Sequence, residues 1–158
     1  MIRPAVRSDT KAIARLIRAL AEFERLTHAV VFDENRLEEH LFGPRPFAEV
    51  LVAEEGGEVV GFALFFPTYS TFQGRPGIYL EDLFVQSEYR GKGIGKELLT
   101  TLARLAIERG CARLEWTVLN WNESAIAFYR SLGAVSLHEW QIYRLSGDAL
   151  TAAAKSSG

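Results

Sequence analysis

The stretch Tyr89-Arg90-Gly91-Lys92-Gly93-Ile94-Gly95-Lys96 follows an apolar run, Ile78 to Val85, and opens a segment in which Ile94, Leu98, Leu102, Leu105 and Ala106 recur at helical spacing. A strand, a turn with three alternate glycines and a helix N-terminus are thereby fixed in order. Without Cβ atoms at 91, 93 and 95 the backbone can curl tightly, and its N–H groups converge on a point at the positive end of the helix dipole. That is a cradle for a phosphate. Two familiar phosphate loops fail on spacing. A P-loop requires a glycine five positions before Gly95-Lys96, where Arg90 stands, and Ser or Thr after the lysine, where Glu97 stands. A dinucleotide fingerprint requires a third glycine at the position of Lys96.

The rest of the chain reads as alternating helices and strands, an α/β pattern in a single domain. After a short opening strand, Ile13, Leu16, Ile17 and Leu20 mark an amphipathic helix with Asp9 as its predicted N-cap, and Asp33 is placed to cap a second helix carrying Leu37 and Leu41. Val50 to Glu54 and Val59 to Phe66 flank Glu55-Gly56-Gly57-Glu58, a hairpin signature. Residues Pro67 to Gly77, with two prolines and two glycines, read as a loop. Gly110 ends the helix after the glycine turn, Arg113 to Val118 alternates as a strand, and a helix from about Glu123 to Leu132 stops at Gly133. Two short strands, Val135 to Glu139 and Gln141 to Leu145, are expected to close the fold. The domain is expected over residues 2–146, with residues 147–158 a tail and Thr151 to Gly158 disordered.

Composition narrows the function classes. With 158 residues, 48% of them hydrophobic, the chain fits one domain and one core. A net charge of −2 lacks the basic excess of a nucleic-acid binder. Met1 to Thr10 has no signal-peptide run and no segment approaches the ~20 apolar residues of a membrane span, so no membrane partner and a cytoplasmic setting are expected. The one cysteine, Cys111, reads as a small buried residue rather than a nucleophile. His28, His40 and His138 lie too far apart for a local metal-ligand spacing, and no metal is expected.

Arg-x-x-Gly-x-Gly, Arg90 to Gly95, resembles the pyrophosphate loop of the GNAT superfamily of acyl-CoA-dependent N-acyltransferases. Downstream, Asn120-Trp121-Asn122-Glu123-Ser124-Ala125-Ile126-Ala127-Phe128-Tyr129 with Gly133-Ala134 resembles that family's next element. The similarity runs over about residues 2–146 and also includes Ile2-Arg3-Pro4-Ala5, Tyr79-Leu80-Glu81-Asp82-Leu83-Phe84-Val85 and Trp140 to Leu145. It is nearest to the branch holding the spermidine/spermine and thialysine N-acetyltransferases. The resemblance implies a mixed, mostly antiparallel sheet flanked by helices with splayed central strands, acetyl-CoA as co-substrate, and a homodimer paired through its C-terminal strands. For the acyl donor it implies Arg90, Gly91, Lys92, Gly93, Ile94, Gly95 and Lys96 at the pyrophosphate, and Leu83, Phe84 and Val85 beside the acetyl group and pantetheine. Asn122, Glu123, Ser124, Ala125 and Tyr129 would lie along the pantetheine arm.

Acetyl transfer to an amine needs a neutral amine, a stabilised oxyanion and a proton for the departing thiolate. With a reference pKa near 10.4, only about one lysine-like amine in a thousand is neutral at physiological pH. Carboxylates that bind the cation and accept its proton meet that need. Glu81 and Asp82 are adjacent, and in a regular strand they point to opposite faces; the resemblance assigns Glu81 to the acceptor, as anchor or water-mediated base, and leaves Asp82 structural. Glu24, after Phe23, matches an acceptor-side acid of the polyamine enzymes. Tyr129, with a phenol pKa near 10, suits the proton donor to a thiolate whose acid lies near 8.5. Phe23, Glu24, Glu115, Trp116 and Thr117 complete the acceptor side, while Tyr69, Phe72, Trp116 and Trp121 suit either a pocket wall or the core. The chain departs from the polyamine enzymes at Tyr69-Ser70-Thr71-Phe72, where they carry an acid and a tryptophan in a loop one residue shorter. A thialysine-like or lysine-like amine is therefore the expected acceptor, ahead of a polyamine, a protein or peptide amine, or a sensor that binds acyl-CoA without turnover.

Overall fold

Alternating apolar residues build a five-stranded sheet with two dressed faces. The computed structural model describes residues 1–156 and divides into two compact units, Met1–Thr117 and Val118–Gly158. The first unit contains β1 (Ile2–Pro4), α1 (Thr10–Phe23), α2 (Glu34–Phe42), β2 (Glu49–Glu55), β3 (Glu58–Ser70), β4 (Arg75–Val85), α3 (Ile94–Glu108) and β5 (Leu114–Glu115). Strand order follows chain order; β1 to β4 are antiparallel neighbours, and β5 joins β4 in parallel. One face, with Val50, Val52, Phe62 and Phe84, packs against Ile13 and Leu16 of α1 and Leu41 of α2. On the other face a Cβ added to Gly61 would come within 3.5 Å of Leu98 on α3. The α/β class expected from the sequence is the observed one.

Local signals placed most of these elements. Gly56 and Gly57, both at positive φ, make the two-residue turn between β2 and β3. Asp33 caps α2, its carboxylate accepting from the N–H groups of Asn35 and Arg36. Asp9 does not cap α1. Its carboxylate accepts two hydrogen bonds from Arg3, at 2.8 and 3.0 Å, and one from the Val6 N–H, because an ion pair at the start of the sheet outcompetes the helix amides.

The C-terminus of α1 is closed by paired bonds from Leu26 N–H to the Ala21 carbonyl and from Arg25 N–H to the Glu22 carbonyl, which put Arg25 at φ 60°. A glycine occupies that left-handed position without steric cost. Arg25→Gly is expected to raise stability by about 1 kcal/mol in urea denaturation. An unchanged midpoint would mean that the arginine side chain offsets its own strain.

Two further expectations in this unit need correction. Residues Pro67 to Gly77 are not a loop: β3 runs to Ser70 and β4 begins at Arg75. Pro67 is tolerated because β2 pairs with β3 only as far as Phe65, so β3 is an edge there. The strand expected over Arg113 to Val118 is confined to Leu114–Glu115.

In the second unit, α4 (Glu123–Ser131) ends as expected before Gly133, at φ 89°. Neither Val135 to Glu139 nor Gln141 to Leu145 is a strand; alternation offers a face, but a strand needs a ladder partner, and none pairs with them among the described residues. Instead of a disordered stretch from Thr151, α5 (Gly147–Lys155) forms, helped by its run of alanines. The last two positions of the expected tail lie outside the described residues. Among those described, no helix is long and apolar enough to cross a membrane.

Candidate active site

The acids of β4 sit at a break in the strand's alternation. Asp82 pairs with Leu64 of β3, yet Phe65, the next residue of β3, pairs with Leu80, so Glu81 is an inserted residue in a β-bulge. Glu81 and Asp82 are therefore not sent to opposite faces, contrary to the regular-strand expectation. Asp82 lies on the face of Leu64 and Phe84, the one covered by α1, and is half-buried, whereas Glu81 is exposed. Burial first, and then the charges of Glu81 and Glu24, push the Asp82 carboxyl up to about 6. Glu24, at the C-terminal cap of α1, is raised as well, by desolvation.

The other perturbed acids of this unit behave oppositely. Asp9 is held low by Arg3, and Glu49 by Arg109, each through hydrogen-bonded ion pairs. Glu24, Glu81 and Asp82 have no such cation among the described residues. A cluster of carboxylates lacking a counter-ion is suited to an incoming ammonium.

The glycine loop has the geometry of an anion cradle. Gly91 and Gly93 take φ 80° and 83°, and a Cβ at either would meet nothing within 4 Å. Gly93 is the N-cap of α3, with no side chain bonded to the first-turn amides. Those N–H groups, at the positive end of a 15-residue helix, fit a pyrophosphate. The Arg90 side chain is engaged within the protein: Nε donates to the Val85 carbonyl at 2.9 Å, and the guanidinium lies 4.8 Å from the Phe23 ring and 5.1 Å from that of Phe84. It ties the loop to the end of β4 and to α1. Phe23, expected at the acceptor, is one wall of that clasp. Lys92 Nζ sits 5.1 Å from the Tyr89 ring, Lys96 is exposed, and Ile94 is buried as the first core contact of α3.

The pairing of β5 with β4 covers only Ile78 and Tyr79, so the strand splays from there and Leu83 to Val85 lie beyond its ladder. Phe84 is core, and the Val85 carbonyl is already engaged by Arg90. Glu115 pairs with Arg113 at 3.0 Å, Trp116 is half-buried and Thr117 exposed. At the tip of the β3–β4 hairpin, Tyr69 is exposed and Phe72 fully so, which removes both from the core alternative. Ser70 is buried, its Oγ accepting from the Gln73 N–H, so it builds the turn.

In the second unit, Asn122 caps α4, its Oδ1 accepting from the Ala125 N–H at 3.4 Å and from the Ser124 hydroxyl. The side-chain amide donors remain for a ligand. Glu123 opens the helix. Tyr129 is half-buried, its ring 5.6 Å from that of Phe128, and its carbonyl accepts from Leu132 and Ala134 where the helix closes. Trp121 is exposed. Sequence reasoning did not anticipate the bulge before Asp82 or the aromatic clasp on Arg90. The Glu-Asp pair was visible, but the bulge is a property of register between two strands.

Residues 12–134 match the acetyltransferase (GNAT) family. Thialysine N-epsilon-acetyltransferase of Bos taurus is 43% identical over 95% of this chain and 94% of its own length, and L-ornithine N5-acetyltransferase of Arabidopsis thaliana is 37% identical over 96% and 86%. Among solved structures, an integron cassette protein from the mobile metagenome of V. cholerae superposes with a TM-score of 0.82 at 31% identity, covering 99% of this chain and 98% of the other. The phosphate loop, the splayed sheet and these matches agree: the chain belongs to the GNAT family of N-acetyltransferases.

Proposed function

We propose that this N-acetyltransferase uses acetyl-CoA to acetylate the side-chain amine of a small amino acid, thialysine, ornithine or a lysine-like compound, by direct transfer in a ternary complex. The observation carrying this reading is the group Glu24, Glu81 and Asp82, three carboxylates without a counter-ion among the described residues. An alkylammonium would supply the missing charge. Support for the acceptor's class comes from the names of the thialysine and ornithine relatives.

Backbone N–H groups from Gly91 to Lys96 would hold the pyrophosphate, and Asn122 with Glu123, Ser124 and Ala125 the pantetheine arm. Leu83 and Val85 would offer main-chain groups beside the acetyl carbonyl. Acetyl-CoA supplies the thioester on which the amine acts. Tyr129 would give its phenolic proton to the leaving sulfur, and Glu81 would anchor the ammonium. A cytoplasmic setting agrees with the single buried thiol of Cys111. The apolar, exposed Trp140, Ile142 and Tyr143 support pairing of two copies through the C-terminal segment.

Release of free CoA thiol with thialysine, ornithine, lysine, spermidine and a lysine peptide tests the reading. The amino acids are expected to show the highest kcat/KM. A preference for spermidine would transfer the assignment to a polyamine enzyme, a preference for the peptide to a protein acetyltransferase, and stoichiometric acetyl-CoA binding without thiol release to a sensor.

A further inference from the structure

We propose that Asp82, with Glu24 as its partner, takes the proton from the acceptor ammonium, and that the neighbouring Glu81 binds the cation without serving as the base. The inference deepens the acetyltransferase reading and rests on it. Its geometric basis is the bulge: Glu81 is the inserted, exposed residue, while Asp82 keeps a fixed register against Leu64 and lies on the face of the sheet that α1 covers. Two residues along the same face is Phe84, whose ring shares the Arg90 guanidinium with Phe23, the residue next to Glu24. The end of α1 is thus held over this part of β4.

The charged groups acting on Asp82 are Glu81 from β4 and Glu24 from α1, both negative. Arg90, whose guanidinium lies against the Phe84 ring, donates Nε to the Val85 carbonyl and forms no ion pair with Asp82. No side chain among those described donates a hydrogen bond to the Asp82 carboxylate, and its oxygens are not sealed from solvent. An acid so placed favours its neutral form, which is what a proton acceptor needs. A base near 6 recovers about two of the roughly six pKa units between an ordinary aspartate and an alkylammonium.

The step balances. The ammonium N–H bond breaks and its proton moves to an Asp82 carboxylate oxygen, directly or through one water. The freed nitrogen lone pair forms the C–N bond to the acetyl carbonyl, the C–S bond breaks, and the thiolate is protonated as the attacking nitrogen sheds its remaining extra proton.

The test compares Asp82→Asn and Glu81→Gln with wild type in kcat/KM against pH, alongside carboxyl ¹³C titration of the aspartates. Wild-type activity is expected to fall as pH drops through about 6, because Asp82 then becomes protonated. Asp82→Asn should lose about a hundredfold in kcat and that acidic limb. Glu81→Gln should raise the amine KM and keep the limb. An Asp82 carboxyl titrating near 6 and absent from Asp82→Asn supports the assignment without reference to turnover.

Folding is checked in the same series. A carboxyl with a raised native pKa stabilises below its unfolded value and loses that contribution as pH rises through about 6. Asp82→Asn should therefore melt above wild type at pH 8, the gap closing toward pH 4. The proposal is overturned if Glu81→Gln removes the limb while Asp82→Asn keeps it, or if Asp82 titrates in the ordinary aspartate range. Failure of wild type to acetylate any amine strikes the acetyltransferase reading instead, and the titration still decides whether Asp82 is the group poised to hold the proton.

Discussion

Gly93→Val is expected to weaken acetyl-CoA binding by about two to four orders of magnitude in titration calorimetry, while far-ultraviolet circular dichroism still reports a folded chain. Gly93 stands at φ 83° as the N-cap of α3, and a Cβ there touches nothing within the protein. The fold therefore suffers from the left-handed backbone alone, roughly 1–2 kcal/mol and somewhat more for a β-branched side chain, which a domain stable by about 5–15 kcal/mol survives. α3 remains anchored through Leu98 and Leu102, both fully buried.

The ligand suffers more. Relaxing the strain turns the amides of Ile94, Gly95 and Lys96 away from their common focus, and the valine side chain enters the open space in front of the loop. Hydrogen bonds to a charged group contribute about 1.5–3 kcal/mol each, so losing two gives the stated range. Unchanged affinity in a folded variant would show that the loop does not hold the pyrophosphate.

What could be read from the sequence was what short segments decide by themselves. Gly56-Gly57 had to turn, Asp33 had to cap, and the glycines from 91 to 95 had to free a helix N-terminus, because each feature depends on a few neighbouring dihedrals. Glu81-Asp82 is the contrasting case. The pair was conspicuous, but its orientation followed from an assumed period of two, and the bulge that breaks this period exists only in the register of β4 against β3. The same holds for Ser70, where β3 and β4 pair from Gly61 with Val85 to Ser70 with Arg75, turning an expected loop into a hairpin whose turn Ser70 builds. Arg90 was recognised by motif and given to the phosphate; of its aromatic partners, Phe84 belongs to the strand that leads into the loop, but Phe23 comes from α1, distant in sequence.

Tyr129→Phe is expected to lower kcat by about 10² to 10⁴ while acetyl-CoA affinity stays within a few-fold. The substitution keeps the ring, its tilted contact with Phe128 at 5.6 Å and the backbone bonds from Leu132 and Ala134 that close α4. Only the phenolic O–H is lost. If that group protonates the departing sulfur, its removal leaves a thiolate to depart unprotonated, and the penalty appears in the chemical step and not in binding. The loss should shrink as pH rises past about 8.5, where a thiolate is the stable form of the leaving group in water. Single-turnover kinetics at pH 7 and pH 9 separate the alternatives. A variant that keeps at least half of the wild-type chemical rate at both pH values would make Tyr129 a packing residue, and the proton for the sulfur would then have to come from another donor or from solvent.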